Sequence, residues 1–268
     1  VSATRRPIAA GNWKMNLLRR DAADFCRALA GALAGSPPPA ADVLLFPTFT
    51  LLATVARGVE GLPVACGGQD LHPQAKGAHT GDVSGPQLAD AGCTWVLCGH
   101  SERRCDHGES DDLVAAKAAA AVEHGLTPMI CLGESRDERR AGRTFEVLRR
   151  QLRAGLAPRP ARFEIAYEPV WAIGTGETAT PEIAQEAHAF LRRELAEIAG
   201  EERAASTRIL YGGSANPANA AGLIAQADID GFLVGGASLD AEKFLAIIDA
   251  CGASAWPGAA PPLGEPPT

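Results

Sequence analysis

The chain has 268 residues, 46% of them hydrophobic, and a formal net charge of −7 at pH 7. That length holds one large α/β domain or two small ones, with a sizeable core. The negative balance argues against general nucleic-acid binding, and it requires any anionic substrate to meet a local positive site set against the global field. No apolar run approaches the ~20 residues of a bilayer span, and the opening VSATRRPI lacks the apolar region of a secretory signal. The seven cysteines are scattered and make no C-x-x-C pair. Their pattern argues against a disulfide framework or a zinc site, and for a soluble cytoplasmic protein with reduced thiols and no membrane contact.

Eight short apolar runs read as strands: PIAAGNW (7–13), DVLLFP (42–47), VACGG (64–68), TWVLCG (94–99), PMICLG (128–133), FEIAYEP (163–169), RILYGG (208–213) and GFLVGG (231–236). Between them lie stretches rich in Ala, Leu, Glu and Arg that read as helices: 21–34, 113–125, 144–156, 183–200 and 241–249. Ser110, Thr180 before Pro181, Asn216 before Pro217, and Asp240 are start signals, and Gly125 and Gly200 are stops. Strand–helix alternation with nearly continuous apolar strands implies a parallel sheet buried on both faces. Eight such units predict a (β/α)8 TIM barrel over 6–251 as a single domain. The rival, an open doubly wound sheet, wants a Gly-rich turn after its first strand, and none is there. The segment 252–268, GASAWPGAAPPLGEPPT, reads as a disordered tail.

One connection is long and has no helical periodicity: Gln69 to Gly85, with glycines at 77, 81 and 85. Such a loop inside a compact domain is usually functional, the bland alternative being a mobile surface loop.

In a barrel the chemistry gathers where strands end. Those ends carry Asn12 and Lys14, His100 and Glu102, Glu168, Ser214, and Gly235 with Gly236. Each alone reads equally as solvated surface, a cap or a turn; their concentration on one rim is the signal. YGGS and VGGAS each lead toward a helix, so backbone N–H groups at Ser214, Gly235 and Gly236 can face a phosphate. Glu168, followed by apolar Val170, Trp171 and Ile173, is expected to have its pKa raised by desolvation and to act as a base. His100 directly precedes a helix start and is expected to stay neutral and donate to a carbonyl oxygen. Lys14 supplies positive charge for an oxyanion. GTGETA (174–179) matches a loose dinucleotide fingerprint, but PVWAI separates it from its strand. There is no G-x-S-x-G, H-E-x-x-H or Walker lysine.

GNWKMN (11–16), GHSERR (99–104), ICLGE (130–134), AYEPVWAIGTG (166–176), YGGS (211–214) and GFLVGGASL (231–239) together resemble the triosephosphate isomerase family, in order and from about Arg6 to Ala250. The resemblance implies a homodimeric barrel that interconverts dihydroxyacetone phosphate and glyceraldehyde 3-phosphate with no cofactor and no metal. It implies that Glu168 moves the proton, His100 polarises the carbonyl, and Lys14 and Asn12 serve the oxygens. Glu102 would organise Lys14, and Gly174, Ser214, Gly235 and Gly236 would hold the phosphate. Pro169, Val170, Trp171, Ala172, Ile173, Gly174, Thr175 and Gly176 would form a closing lid, with Ile173 and Leu233 clamping Glu168. From the loop that starts at Gln69, Thr80 would approach Asn12 and Lys14 of a second subunit, and Asp82 would pair with Arg103 across the interface. Asp70 and Asp82 depart from the Asn and Glu common in the family. A four-carbon ketose-phosphate isomerase such as an erythrulose phosphate isomerase, a barrel that has lost catalysis, and an unrelated phosphate-binding lyase are the alternatives.

Overall fold

A computed structural model describes residues 5–34, 37–172 and 179–253. In chain order the elements are β1 Ile8–Asn12, α1 Arg19–Leu33, β2 Asp42–Phe46, α2 Leu52–Gly58, β3 Val64–Gly68, α3 Gly85–Asp90, β4 Cys93–Cys98, α4 Ser101–Asp106, α5 Asp111–Glu123, β5 Thr127–Leu132, α6 Arg136–Arg140, α7 Thr144–Gly155, β6 Glu164–Tyr167, α8 Pro181–Ala199, α9 Glu201–Ser206, β7 Ile209–Tyr211, α10 Ala220–Ile224, β8 Gly231–Val234 and α11 Ala241–Ala253. Each strand pairs in parallel with the next, and β8 closes on β1 with Ile8 opposite Gly231. Closure rules out the open sheet.

All eight expected strands form, and so do the five expected helices. Ser110 and Thr180 cap α5 and α8 through their side-chain oxygens, and Gly125 and Gly200 take positive φ after α5 and α8. Asn216 does not start a helix. Its Oδ1 accepts from the N–H groups of Ala218 and Asn219 in a local turn, and α10 begins only at Ala220. Helix α11 runs to Ala253, slightly past the expected boundary; the rest of the expected tail lies outside the described residues.

Strand side chains alternate between two apolar layers. One faces the helices and includes Ala9, Val43, Val96, Ile130, Ile165 and Ile209. The other fills the barrel, with Ile8, Ala10, Leu44, Phe46, Trp95, Leu97, Met129, Cys131, Ala166, Leu210 and Leu233. At the lower mouth Arg208 closes this layer by pairing with Glu164 and Asp42. Carrying the inward register forward from Ala10, Ala166, Leu210 and Leu233 places Asn12, Glu168, Gly212 and Gly235 at the upper mouth.

Gly133, just past β5, lets the end of β6 come close: a Cβ there would lie 1.7 Å from the Glu168 carbonyl oxygen. Gly133→Ala is therefore expected to cost about 3 kcal/mol or more, as severe overpacking does, and to shift the urea midpoint accordingly. An unchanged midpoint would mean that β6 can retreat freely.

Candidate active site

The upper mouth opens into a cleft of about 530 Å³ lined by Asn12, Lys14, Asn16, His100, Glu168, Gly212 to Asn216, Leu233, Gly235, Gly236, Ala237 and Leu239. The fold thus brings Asn12, Lys14, His100, Glu168, Ser214, Gly235 and Gly236 together.

Beyond β1 the chain turns sharply. Lys14 sits at φ +52°, a left-handed conformation that costs a non-glycine residue about 1 kcal/mol or more. Three contacts hold it there. Its N–H donates to Asn12 Oδ1 at 3.0 Å, its carbonyl accepts from Gln69 Nε2 at 2.8 Å, and the same amide nitrogen reaches the Phe46 carbonyl at 2.9 Å. Gln69, expected in the subunit loop, is thus a brace for Lys14 within the chain. The ammonium pairs with Glu102, whose other oxygen lies 3.7 Å from His100 Nδ1. Lys14 therefore extends a charge into the cleft from a fixed backbone.

Glu168 is buried at the end of β6, and in this arrangement it faces His100 and Ser101. One carboxylate oxygen is 2.9 Å from His100 Nε2 and 3.1 Å from Ser101 Oγ, and the other accepts the Ser101 N–H at 3.0 Å. Burial pushes the carboxyl's pKa up, but His100, the Ser101 N–H and Lys14 together outweigh it and hold the group below its ordinary range. The expected upward shift is thus reversed, because desolvation acts on a carboxylate that has three donors. Ser101, which the sequence reading passed over inside GHSERR, supplies two of them.

His100 shows the converse. Burial lowers its pKa, yet the facing Glu168 carboxylate prevails and raises it, against the expectation of a depressed value. The ring's orientation still follows from its cap: Nδ1 accepts the Glu102 N–H at 3.2 Å, so the proton of the neutral ring resides on Nε2. Removing the facing carboxylate removes what raises the pKa. Glu168→Gln is expected to move the His100 titration midpoint downward, read by imidazole NMR. A midpoint that stays in place or rises would show that another group controls the ring.

On the opposite wall, the N–H groups of Ser214, Gly235 and Gly236 make no hydrogen bond to another described residue. Gly235 takes φ −84° and ψ −114°, and a short turn of 3₁₀ helix, Gly236–Leu239, starts behind it. Ser238 Oγ secures that turn on the Val234 and Gly235 carbonyls at 3.0 and 2.7 Å. Ser214 Oγ donates to the Ala172 carbonyl at 2.9 Å, and its own carbonyl accepts from Asn219 Nδ2. Backbone donors with no partner among the described residues, set near a lysine, can receive an anion even in an acidic protein.

Behind Glu168, Val170–Ala172 forms a 3₁₀ turn. Trp171 Nε1 donates to Glu134 Oε1 at 2.9 Å, Tyr167 Oη to Glu134 Oε2 at 3.2 Å, and the Arg139 guanidinium lies 4.1 Å over the indole. The indole is thus turned to Glu134, and this fully buried carboxylate anchors the segment leaving β6. ICLGE contained Glu134 and gave no sign of that role. Ile173, Gly174, Thr175 and Gly176 lie outside the described residues.

In the loop from Gln69, Thr80 and Asp82 are exposed. Arg103, expected to reach Asp82 of another chain, is already held by Asp70 at 2.8 Å and Glu109 at 2.5 Å, and Lys117 completes the square by binding the same two carboxylates. Asp70 thus has partners within its own chain.

A family model described as triosephosphate isomerase matches residues 7–251. Among curated proteins, the triosephosphate isomerase of Endomicrobium trichonymphae is 47% identical over 248 residues, covering 91% of this chain and 98% of that protein. That of Bradyrhizobium sp. strain ORS 278 is 51% identical over 250 residues, covering 92% and 98%. That of Mycobacterium avium strain 104 is 51% identical over 247 residues, covering 90% and 95%.

Proposed function

The chain belongs to the triosephosphate isomerase family, and from that premise we propose that its cleft interconverts dihydroxyacetone phosphate and D-glyceraldehyde 3-phosphate by proton transfer through an enediolate, a step of glycolysis. The observation that carries the assignment of roles is the direct apposition of Glu168 and His100 at the barrel mouth, with Lys14 and the free N–H groups of Ser214, Gly235 and Gly236 lining the same cleft.

The phosphate binds those three N–H groups, joined by Gly174 from the lid. This places the three-carbon chain over Glu168, its carbonyl oxygen toward His100 Nε2, Lys14 and Asn12. Glu168 leaves Ser101 and His100 and takes the proton from the carbon beside the carbonyl. As it gives up its donors and stays desolvated, its basicity rises when it is needed. The released electron pair moves onto the carbonyl oxygen, where the Lys14 charge and the Nε2–H of His100 stabilise it. His100 carries a proton between the two oxygens, and Glu168 returns its proton to the neighbouring carbon. Nothing is oxidised or reduced overall, and no cofactor enters the balance. Glu102 is a positioning residue that steadies Lys14 and the His100 helix cap.

A coupled assay with three- and four-carbon ketose phosphates tests the reading. Turnover of the three-carbon substrate is expected to dominate, and a preference for four carbons would overturn it. The names of the relatives give the four-carbon alternative no support.

The working unit is a homodimer. Met15 and Leu18, beside Lys14, are 93% and 75% exposed, an apolar surface that a second copy would cover. In that dimer the exposed stretch around Thr80 would cover the Asn12–Lys14 turn of the second copy. A fully active monomer in sedimentation would overturn this. Free thiols at Cys26, Cys66, Cys93, Cys98, Cys131 and Cys251, all buried, suit a reducing cytoplasm. Among the described residues, no helix is long and apolar enough to cross a membrane.

A further inference from the structure

Beyond the end of β4 the chain must be loose and exact at once. Gly99 takes φ +73°, and a Cβ there would lie 2.5 Å from the Val114 side chain, so only glycine fits just before His100. Glycine frees the backbone, yet the ring it leads into keeps Nε2 2.9 Å from Glu168. The ladder between β4 and β5 gives no help here, because its last pair is Cys98 with Ile130. Arg104, the last residue of GHSERR, takes over. Its Nε donates to the Gly99 carbonyl at 2.8 Å, its Nη2 to the Cys131 carbonyl at 3.2 Å, and its Nη1 to Asp111 Oδ1 at 2.7 Å. Its backbone N–H donates to the His100 carbonyl at 3.0 Å. We propose that Arg104 is a positioning residue for the isomerisation: its guanidinium fixes the turn that carries His100 and so holds the ring against Glu168 and the substrate oxygens.

The guanidinium suits the task. One planar fork reaches carbonyls on two strands, and hydrogen bonds from an ionised donor are shorter and stronger than neutral ones. Both carbonyls bear on the site. Gly99 adjoins His100, and Cys131 stands two residues before Gly133, where β5 comes closest to the Glu168 carbonyl. The bridge therefore ties the strand end that carries His100 to the one that lies against the base. The Arg104 and Asp111 side chains are 15% and 18% exposed, and the pairing with Asp111 at the start of α5 offsets the desolvation of the charge. Arg104 does not line the cleft, so it acts through His100 and not on the substrate. Lysine is no substitute: a compact ammonium keeps the charge and the Asp111 partner but cannot span two carbonyls as a rigid fork does.

Arg104→Lys in the full chain is the test. Its kcat is expected to fall roughly 10–100-fold, the range of a misplacement approaching 1 Å, with KM and the affinity for inorganic phosphate nearly unchanged. Imidazole NMR reads the ring's position directly. Burial lowers the His100 midpoint and the Glu168 carboxylate prevails in raising it, with Lys14 and Glu102 as the other charges that face the ring. A ring that slips from Glu168 loses that push whether it stays buried or meets water. Its midpoint should therefore fall in Arg104→Lys, and should fall no further when the same change is made on Glu168→Gln. Asp111→Asn removes the partner's charge and leaves both carbonyl bonds in place, so kcat and the midpoint should stay close to wild type. An unmoved midpoint, a second fall on Glu168→Gln, a kcat close to wild type, or an Asp111→Asn variant as impaired as Arg104→Lys overturns the proposal. The last result would make Arg104 a tie between α4 and α5 alone. Each variant's fold is checked by its unfolding midpoint, and Arg104→Gln, which also lacks the fork, replaces a lysine variant that fails to fold. The kinetic arm rests on the proposed function, whereas the NMR arm needs no substrate. A wild-type chain that does not isomerise triose phosphates would overturn that function and leave the His100 midpoint to decide on Arg104.

Discussion

Glu168→Asp is expected to lower kcat about 10²–10³-fold while leaving substrate binding nearly unchanged. The carboxylate stands at the end of β6 on backbone fixed to its neighbours: the Glu168 N–H donates to the Leu132 carbonyl at 2.8 Å, and the Gly212 N–H to the Tyr167 carbonyl at 2.7 Å. Neither strand can advance to make up for a side chain shorter by one methylene. A positioned base contributes roughly 10²–10⁴-fold, and a misplacement of about 1 Å forfeits roughly 10²-fold. On the proposed roles, phosphate affinity rests on Ser214, Gly235 and Gly236 and should be spared, so steady-state kinetics should show the loss in kcat with little change in KM. Equal loss in binding would assign Glu168 to substrate retention, and unchanged turnover would remove it from the mechanism.

The pairing of Glu168 with His100 also sets a pH dependence of stability. Glu168 is held below its unfolded pKa of about 4.3, so its contribution is present above that value and fades as pH falls through the lower folded one. His100 is held above its unfolded pKa of about 6.5, so its contribution is complete below that and fades as pH rises through the folded value. Both contributions are present together in the window between.

The strands and the rim were legible because alternation along a strand is a local property. Once Ile8, Ala10 and Ala166 face inward, Asn12 and Glu168 must follow them to the mouth. The five longer helices were legible for the same reason. What the sequence did not reveal depends on contacts between distant segments. Ser101 meets Glu168 across 67 positions, and Gln69 meets Lys14 across 55. No spacing rule links such pairs. The direction of the Glu168 shift was misread because a run of apolar neighbours signals burial, whereas the donors that outweigh burial arrive from another strand. Helices α2, α3, α4, α6, α9 and α10 run to seven residues or fewer, too short for a periodic pattern to show itself.

Lys14→Met should be the second most damaging change, with kcat/KM falling by about 10²–10³-fold or more, the scale on which loss of one oxyanion partner is felt. Methionine keeps the length and the apolar stem, so the variant isolates the charge. The fold should tolerate it. Lys14 is held by Asn12 and Gln69 through backbone atoms that methionine also has, and its lost partner Glu102 is about half exposed, where an unpaired carboxylate costs little. Lys14→Arg asks the complementary question. It restores the charge, but the lysine stem already passes 3.4 Å from where a Cβ on Gly235 would sit, and a planar guanidinium cannot occupy the space of a compact ammonium. Arginine should therefore recover binding of inorganic phosphate more fully than it recovers kcat. If Lys14 acted only through its charge at long range, arginine would restore both alike, and if methionine turned over within a few-fold of the wild-type rate, the charge would have no part in the reaction. A large loss with methionine and a split recovery with arginine is the pattern expected of an ammonium placed against one oxygen of the substrate.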